Sequence, residues 1–215
     1  MATMTFCLEA NLACGKSTIC NMLSNLLPAG SLRVVQEPLT AWQNYHGVDV
    51  LTRLYNAPGK YSFFFQSLVQ LGFLKHALAA RPPPVGRSAL VEVQERSIHS
   101  SLKVFVELAS INGHLSFEEK CLLEDWHQTL ISSFPFPPYH FIYISVPAEV
   151  CFERMKKRNR SAEADVSLDY LKAVEKLHDA WLLNCENATV IDGNRPIEVV
   201  ANDVLTLVTS FNSNP

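Results

Sequence analysis

The stretch from Phe6 to Thr18 combines residue types that bind phosphate. An apolar strand here runs into Glu-Ala-Asn-Leu-Ala-Cys-Gly-Lys-Ser-Thr, which follows the pattern of a glycine, four residues and then Gly-Lys-Ser or Gly-Lys-Thr. Gly15, Lys16 and Ser17 match this pattern, whereas Ala10 replaces its first glycine. Backbone N–H groups and the N-terminus of the next helix surround anionic oxygens in such a loop. The spacing therefore predicts a phosphate site near the beginning of the chain.

Two carboxylates follow predicted strands later in the chain. Glu37 comes after a short strand over Leu32 to Val35, and Glu95 and Arg96 come after a strand over Ala89 to Val93. Because open parallel sheets gather ligands at the C-terminal ends of their strands, these side chains are expected near the phosphate loop. Glu37 is the first catalytic candidate, and a solvated loop glutamate is the alternative.

A basic run extends from Arg154 to Arg160, and an acidic, helix-poor segment over Ser161 to Ser167 follows it. This order predicts a flap over residues 154–167 that delivers cations to phosphate and covers the site. The alternative for a basic run on a helix is a solvated face.

An almost uniformly apolar helix is predicted from Tyr61 to Leu74, and it contains Gln66 and Gln70 one turn apart. A buried amide without a partner costs about 1–3 kcal/mol, so each side chain should meet backbone, another side chain or a ligand. On the residues alone, a structural partner is favoured for both.

The elements that must position these groups alternate between strand and helix. This order predicts a parallel sheet of about five strands with helices on both faces, an α/β architecture within one domain over residues 1–215. Ser116 and Glu119 predict a capping box for the helix from Phe117 to Phe134, whose Trp126 is expected in the core. A rigid Pro-rich connection is expected over Arg81 to Arg87.

Composition limits the classes of partner. The formal net charge of -3 gives no electrostatic reason to expect nucleic acid or an anionic membrane as a partner. No stretch approaches the length of a membrane span, and no targeting leader is visible, so a soluble cytoplasmic protein is expected. Six dispersed cysteines predict reduced thiols and no structural zinc.

Considered together, these segments resemble the deoxynucleoside kinase family, in particular its mitochondrial thymidine kinase and insect multisubstrate branch. The resemblance runs from Thr5 to about Asp192. The segments that carry it, in order, are Ala10 to Ser17, Glu37-Pro38 with Trp42, Phe65-Gln66-Ser67, Glu95-Arg96-Ser97-Ile98-His99-Ser100 with Phe105-Val106-Glu107, Arg154 to Glu163, and Tyr170-Leu171 with Leu177-His178 and Trp181-Leu182.

The resemblance implies a P-loop kinase fold and the transfer of a γ-phosphoryl group from ATP, with Mg²⁺, to the 5′-hydroxyl of a deoxyribonucleoside. Lys16 would contact the donor phosphates, and Ser17 and Glu95 would serve the metal ion. Glu37 would accept the hydroxyl proton, and Arg96 would orient that base. A homodimer is also implied.

The resemblance further implies two sets of binding residues. For ATP and its phosphates they are Ala10, Asn11, Leu12, Ala13, Cys14, Gly15, Lys16, Ser17, Thr18 and, from the lid, Arg154, Arg158 and Arg160. For the nucleoside they are Trp42, Tyr55, Gln66, Val69, Phe73, Ser101, Phe105 and Glu163. In this assignment Gln66 reads the edge of the base, which revises the structural role favoured above.

Some positions depart from the family. Ala10 and Ala13 replace family glycines, and an alanine held at positive φ is strained by about 1 kcal/mol. Phe73 and Ser101 lack the Arg and Asp pairing of the deoxycytidine and deoxyguanosine kinase branch, which favours a pyrimidine and leans towards thymidine.

Two other functions stay open at this point. A nucleoside monophosphate kinase shares the loop, sheet and lid, but no arginine precedes Glu37 to bind an acceptor phosphate. A nucleotide-binding protein with weakened or lost catalysis is suggested by Ala10 and Ala13, against the joint presence of the catalytic candidates.

Overall fold

A parallel sheet forms the centre of the computed structural model, which describes residues 4–26, 32–79 and 91–211. Within these residues the sheet has five strands in the order β2-β3-β1-β4-β5. The strands are β1 (Met4–Glu9), β2 (Leu32–Val35), β3 (Val91–Glu95), β4 (Tyr139–Ser145) and β5 (Ala188–Asp192). The predicted parallel α/β sheet is therefore confirmed.

Helices connect the strands, as parallel pairing requires. The described helices are α1 (Lys16–Leu26), α2 (Leu39–Gln43), α3 (Val50–Asn56), α4 (Pro58–Ala79), α5 (Ile98–Ser100), a π-helix (Ser101–Val106), α6 (Glu107–Ile111), α7 (Phe117–Ser133), α8 (Ala148–Arg158), a 3₁₀ turn (Ser161–Glu163), α9 (Leu168–Leu182) and α10 (Ile197–Ser210).

The core lies on both faces of the central strands. Phe6 and Leu8 on β1 and Ile142 on β4 are fully buried. One stripe of α10 packs into the same core, with Val200 and Val204 fully buried. Apolar residues in such central strands are the expected consequence of covering both faces of a parallel sheet.

Strand register brings the candidate residues together. Leu8 on β1 pairs with Glu95 on β3, and Val35 on β2 pairs with Gln94. The three strands therefore end side by side, and the residues that follow them meet at one edge of the sheet. Arg96 N donates to Leu8 O over 3.0 Å, which continues the pairing one residue beyond β3.

Local signals on the helices had mixed outcomes. The capping box at α7 is confirmed, because Ser116 N donates to Glu119 Oε2 over 2.8 Å and Glu119 N donates to Ser116 Oγ over 3.2 Å. The core position expected for Trp126 is wrong, since this side chain is 52% exposed. It lies to one side of the buried stripe of Leu123 and Leu130.

One further part of the chain differs from the expectation, and another is not tested. The helix after β3 contains a π-helical segment, Ser101–Val106, that residue propensity did not predict. The Pro-rich connection over 81–87 lies outside the described residues. Among the described helices, none is long and apolar enough to cross a membrane.

Candidate functional site

A cavity of about 400 Å³ opens at the C-terminal edge of the sheet. Phosphate-loop residues and side chains of α4 both line it. Nearly all predicted site residues contribute to its wall, namely Leu12, Ala13, Cys14, Gly15, Lys16, Ser17, Thr18, Glu37, Trp42, Tyr55, Gln66, Val69, Phe73, Glu95, Arg96, Ser101, Phe105, Arg154, Arg158, Arg160 and Glu163. Side chains predicted from separate parts of the sequence thus share one cavity.

Ala10 and Asn11 are the predicted binding residues that do not line the cavity. Ala10 is fully buried, and Asn11 is 3% exposed. The Asn11 side chain donates to Leu171 O over 2.9 Å and accepts from Leu12 N over 2.8 Å. In this structure both residues therefore support the loop from behind.

The loop turns sharply before α1. Gly15 has φ 106° and Ala13 has φ 56°, so both lie in the left-handed region, whereas Ala10 does not. Of the two alanines that replace family glycines, only Ala13 is therefore strained. Lys16 lies at the first turn of α1, and its Nζ donates to Asn11 O over 2.9 Å and to Ala10 O over 3.3 Å.

Ser17 and Glu95 meet beside Lys16. The Ser17 hydroxyl donates to the two Glu95 carboxylate oxygens over 2.9 and 3.1 Å. A hydroxyl and a carboxylate are hard oxygen ligands of the kind Mg²⁺ prefers, and substrate phosphates complete such sites. The two side chains therefore fit the predicted metal site. In the described part of the chain, no group of three or more His, Cys, Asp or Glu side chains is arranged so that it could hold a metal ion.

Glu37 and Arg96 form an ion pair in the cavity wall, with 2.7 Å between Glu37 Oε1 and Arg96 Nε. Arg96 Nη1 donates to Ala10 O over 3.1 Å, and the guanidinium carbon lies 4.7 Å from the centre of the Phe105 ring. Burial raises the pKa of Glu37, and the cation of Arg96 opposes that rise. Arg96 itself has φ 63°, a strained conformation of the kind found at functional sites.

Aromatic rings and one amide form the far end of the cavity. Gln66 is 5% exposed, and its Oε1 accepts a hydrogen bond from Ser101 Oγ over 2.8 Å. Trp42 packs edge-to-face on Phe65 with 5.2 Å between ring centres. An apolar slot with one oriented polar group is typical of a site for a flat heteroaromatic ring.

Gln70 makes a structural contact instead. Its side chain is fully buried, and Nε2 donates to Leu123 O on α7 over 3.4 Å. The two glutamines of α4 therefore have different surroundings, and only Gln66 lines the cavity.

The basic lid lies over the phosphate end. Arg158 and Arg160 both bind the buried Glu163 carboxylate, the latter over 2.8 Å. Arg154 Nη1 donates to Cys14 O of the phosphate loop over 3.3 Å. The lid is thus bonded to the phosphate loop. Glu163, which was predicted to bind the nucleoside, is bonded to two arginines that were predicted to bind phosphate.

Comparison with known proteins shows which family has this arrangement of loop, sheet and lid. The sequence model of the family described as deoxynucleoside kinase matches residues 6–213, nearly the whole chain. The chain belongs to the deoxynucleoside kinase family. Members of this family are phosphotransferases, so the sheet, loop and lid are those of a kinase.

Individual relatives are similar at modest identity. A thymidine kinase of Ictalurid herpesvirus 1 (strain Auburn) is 28% identical over 95% of this chain and 86% of its own length. Human mitochondrial thymidine kinase 2 is 32% identical over 82% of this chain, and the match spans 63% of that protein. A mitochondrial deoxyguanosine kinase of Xenopus laevis is 28% identical over 96% of this chain and 82% of its own length.

Sequence reasoning missed one buried carboxyl of this kinase. Glu9 ends β1 and is fully buried. Its Oε1 accepts from Ser97 Oγ over 2.6 Å, and its Oε2 has no hydrogen-bond partner among the residues that the structure describes. Burial raises its pKa to about 7, although the nearby cations Arg96 and Lys16 oppose the shift. A glutamate at the end of an otherwise apolar strand, one residue before the phosphate loop, was the signal available in the sequence.

Ser97 caps the N-terminus of α5, the short helix that follows Arg96. Its Oγ accepts from Ser100 N over 3.3 Å at the start of α5. The same hydroxyl also donates to Glu9, so one serine connects β1 to the helix that follows Arg96. Ser97, Ser100 and Tyr170 also line the cavity without having been predicted as site residues.

Proposed function

We propose that this kinase transfers the γ-phosphoryl group of ATP to the 5′-hydroxyl of a pyrimidine deoxyribonucleoside, with thymidine favoured. The observation that carries the proposal is the Glu37–Arg96 ion pair, which lines the same cavity as Lys16 of the phosphate loop and Gln66 of α4. An acceptor hydroxyl bound there would have a buried carboxylate beside it and donor phosphates on its other side. Such transfer depends mainly on positioning and on neutralising charge.

The loop and lid would hold the donor. Lys16 Nζ now bonds to loop carbonyl groups, and bound β- and γ-phosphates would compete for the same cation. Arg158 and Arg160 would add charge from the lid, which would also exclude water from the reaction. Ser17 and Glu95 would hold Mg²⁺, which neutralises charge on the β- and γ-phosphate oxygens.

Glu37 would act as the general base. A carboxylate that is partly desolvated binds a proton more readily than one in water, and burial raises the pKa of Glu37 in that sense. Arg96 would fix the direction of the carboxylate through its 2.7 Å contact. Proton transfer from the sugar hydroxyl to Glu37 would accompany attack of the oxygen on the γ-phosphorus, and ADP would leave.

The far end of the cavity supports a pyrimidine acceptor. Phe105 and Trp42 would contact the ring, and Gln66 would bind its edge. Val69 and Phe73 also line the cavity, and their bulk would favour one ring over the two of a purine. Tyr55 and Glu163 would bind the sugar 3′-hydroxyl.

A coupled assay with ATP, Mg²⁺ and each of the four natural deoxynucleosides tests the proposal. Turnover is expected with thymidine and deoxycytidine, and the product should be the 5′-monophosphate. Binding of ATP without turnover of any nucleoside would contradict it and would favour a nucleotide-binding protein. Turnover of a monophosphate alone would favour the nucleoside monophosphate kinase.

The Glu37 carboxylate supports a nucleoside over a monophosphate, because a hydroxyl acceptor needs a base whereas a phosphate acceptor would need cations. The single domain over 1–215, the homodimer and the cytoplasmic location stay predictions, which gel filtration and localisation of the tagged protein would test.

A further inference from the structure

The strained backbone of Arg96 is bonded to the end of β1. Its φ of 63° lies in the left-handed region, which a residue other than glycine keeps only where the surrounding structure holds it there. Arg96 N donates to Leu8 O over 3.0 Å, and Arg96 Nη1 donates to Ala10 O over 3.1 Å. The two residues that flank Glu9 in the sequence are therefore both bonded to Arg96.

Glu9 is bonded to the residue that follows Arg96. Ser97 Oγ donates to Glu9 Oε1 over 2.6 Å, and both side chains are fully buried. The carbonyl group that links Arg96 to Ser97 accepts from Gln94 Nε2 over 2.8 Å, and the Gln94 side chain is buried as well. The backbone on the C-terminal side of Arg96 is thus held by two side chains from neighbouring strands.

The position of this backbone matters because Arg96 Nε lies 2.7 Å from Glu37 Oε1 in the cavity wall. If the bond from Ser97 to Glu9 were lost, the backbone of Arg96 could relax out of the left-handed region and carry the guanidinium away from Glu37. A displacement of about 1 Å in a reacting group can lower a rate by about 10²-fold. Glu9 itself does not line the cavity, so any effect on the reaction would have to pass through these neighbours.

We propose that Glu9 is a positioning residue for phosphoryl transfer, which holds the strained Arg96 backbone through Ser97 and thereby keeps the guanidinium at Glu37. The inference rests on the proposed function, in which Arg96 orients the base. It adds to that function a buried residue that contacts neither substrate.

Steady-state kinetics of two variants of Glu9 test this role. Glu9→Leu fills the buried position with an apolar side chain but cannot accept from Ser97, so kcat should fall roughly 10–100-fold while the KM values for ATP and thymidine change less than about threefold. Glu9→Gln keeps an oxygen that accepts from Ser97. Its kcat should therefore stay within about threefold of the wild type.

A double-mutant cycle with Arg96→Ala tests whether Glu9 acts through Arg96. Arg96→Ala alone should lower kcat at least as much as Glu9→Leu does. In the Arg96→Ala background, Glu9→Leu should lower kcat by less than about threefold further, because no guanidinium is left to position. A purely structural effect of the leucine would instead multiply the two losses.

Glu92→Leu is the matched control. Glu92 is a buried glutamate of β3, 5% exposed, and its Oε1 lies 2.9 Å from His76 Nε2 on α4. It does not line the cavity. The same substitution there removes a buried carboxyl from the same sheet, and kcat of the folded variant should equal that of the wild type.

An unchanged kcat in Glu9→Leu would overturn the inference, and so would an equal loss in Glu9→Gln or in Glu92→Leu. Multiplied losses in the cycle would overturn it too. If Glu9→Leu does not fold, Ser97→Ala removes the same bond from its other end, and the same loss of kcat with unchanged KM values is expected. Absence of turnover by the wild type with every deoxynucleoside is a different result, since it would reject the proposed function itself.

Discussion

The Glu37 carboxylate forms an ion pair with Arg96 and is largely shielded from solvent. Its side chain is 16% exposed, and Arg96 Nε lies 2.7 Å away. A carboxylate placed in this way can accept a proton only if its lone pairs are free. The amide of a glutamine at this position would keep the shape of the side chain but would not be basic. The role of Glu37 can therefore be separated from its contribution to binding.

Glu37→Gln is expected to lower kcat by roughly 10²–10⁴-fold with little change in KM for thymidine, as for loss of a general base. Stopped assays over a range of thymidine concentrations would measure both constants. Glu149→Gln is the control, because Glu149 pairs with Lys172 and its side chain is 57% exposed. An unchanged kcat in Glu37→Gln would remove this residue from the chemical step.

Glu9 links the site to the stability of the protein. Its pKa is about 7 in the folded protein against an ordinary value of 4.5, because burial disfavours the charged form. Between these pH values the folded protein binds more protons than the unfolded chain. The contribution of Glu9 to the free energy of unfolding is therefore fully present below about pH 4.5 and is lost as pH rises through 7. The full effect is about 3 kcal/mol at 1.36 kcal/mol for each pKa unit.

Glu9→Gln should remove this pH dependence, since glutamine does not titrate. Urea unfolding of the wild type and the variant between pH 5 and pH 8 would give the difference in free energy of unfolding at each pH. That difference should change by up to about 3 kcal/mol in favour of the variant as pH rises. Burial lowers the pKa values of His99, His127 and His178, but these histidines contribute equally to the pH dependence of both proteins, so their effect cancels in the difference. A constant difference across this range would mean that Glu9 does not titrate there.

At the scale of elements, the phosphate loop contains one strained alanine. Ala13 has φ 56°, which costs an L-residue about 1–2 kcal/mol, whereas Ala10 lies outside that region and its methyl group belongs to the core. The two family glycines that are missing from this loop are therefore not equivalent.

Ala13→Gly should stabilise the protein by about 0.5–1 kcal/mol, because relief of strain exceeds the extra entropy of glycine in the unfolded chain. Ala10→Gly should destabilise it by about 1 kcal/mol, since it removes a buried methyl group and adds the same entropy. Denaturant midpoints of both variants test the difference. Equal shifts of the same sign would show that backbone strain in the loop does not matter.

The elements could be predicted largely from local pattern. Alternation of apolar strands and amphipathic helices indicates the sheet, and the charged residues near the C-terminal ends of β2 and β3 indicate the site. Both signals depend on neighbouring residues. The π-helical segment that contains Ser101 and Phe105 could not be predicted in this way. A π-helix is intrinsically unfavourable, and tertiary packing rather than propensity stabilises it here.

The orientation of side chains and the packing of elements against one another were the other limit. The bonds from Glu163 to Arg158 and Arg160 join groups that the resemblance assigned to different substrates. Exposure of Trp126 depends on which face of α7 meets α4, and the helical period alone leaves that face ambiguous. The burial of Glu9 likewise becomes evident only when β1 lies between β3 and β4.

At the scale of the whole molecule, Gly193 connects the edge of the sheet to the lid and loop. Its N–H donates to Ser145 O at the end of β4 over 2.8 Å, and its carbonyl accepts from Arg154 over 3.5 Å. Arg154 in turn contacts Cys14 O in the phosphate loop. A Cβ atom at position 193 would lie 2.5 Å from methyl groups of both Ile144 and Val146.

Gly193→Ala should therefore destabilise the protein by roughly 1–3 kcal/mol, because those buried methyl groups are attached directly to branched carbons and cannot turn away without moving the strand. Gly72→Ala is the opposite control: Gly72 lies within α4, nothing lies within 4 Å of an added Cβ atom, and the helix should gain about 0.5–1 kcal/mol. Thermal and urea unfolding of the two variants would show shifts of opposite sign. If Gly193→Ala unfolded like the wild type, the end of β4 would be able to move, and Arg154 would not be held to the sheet through this residue.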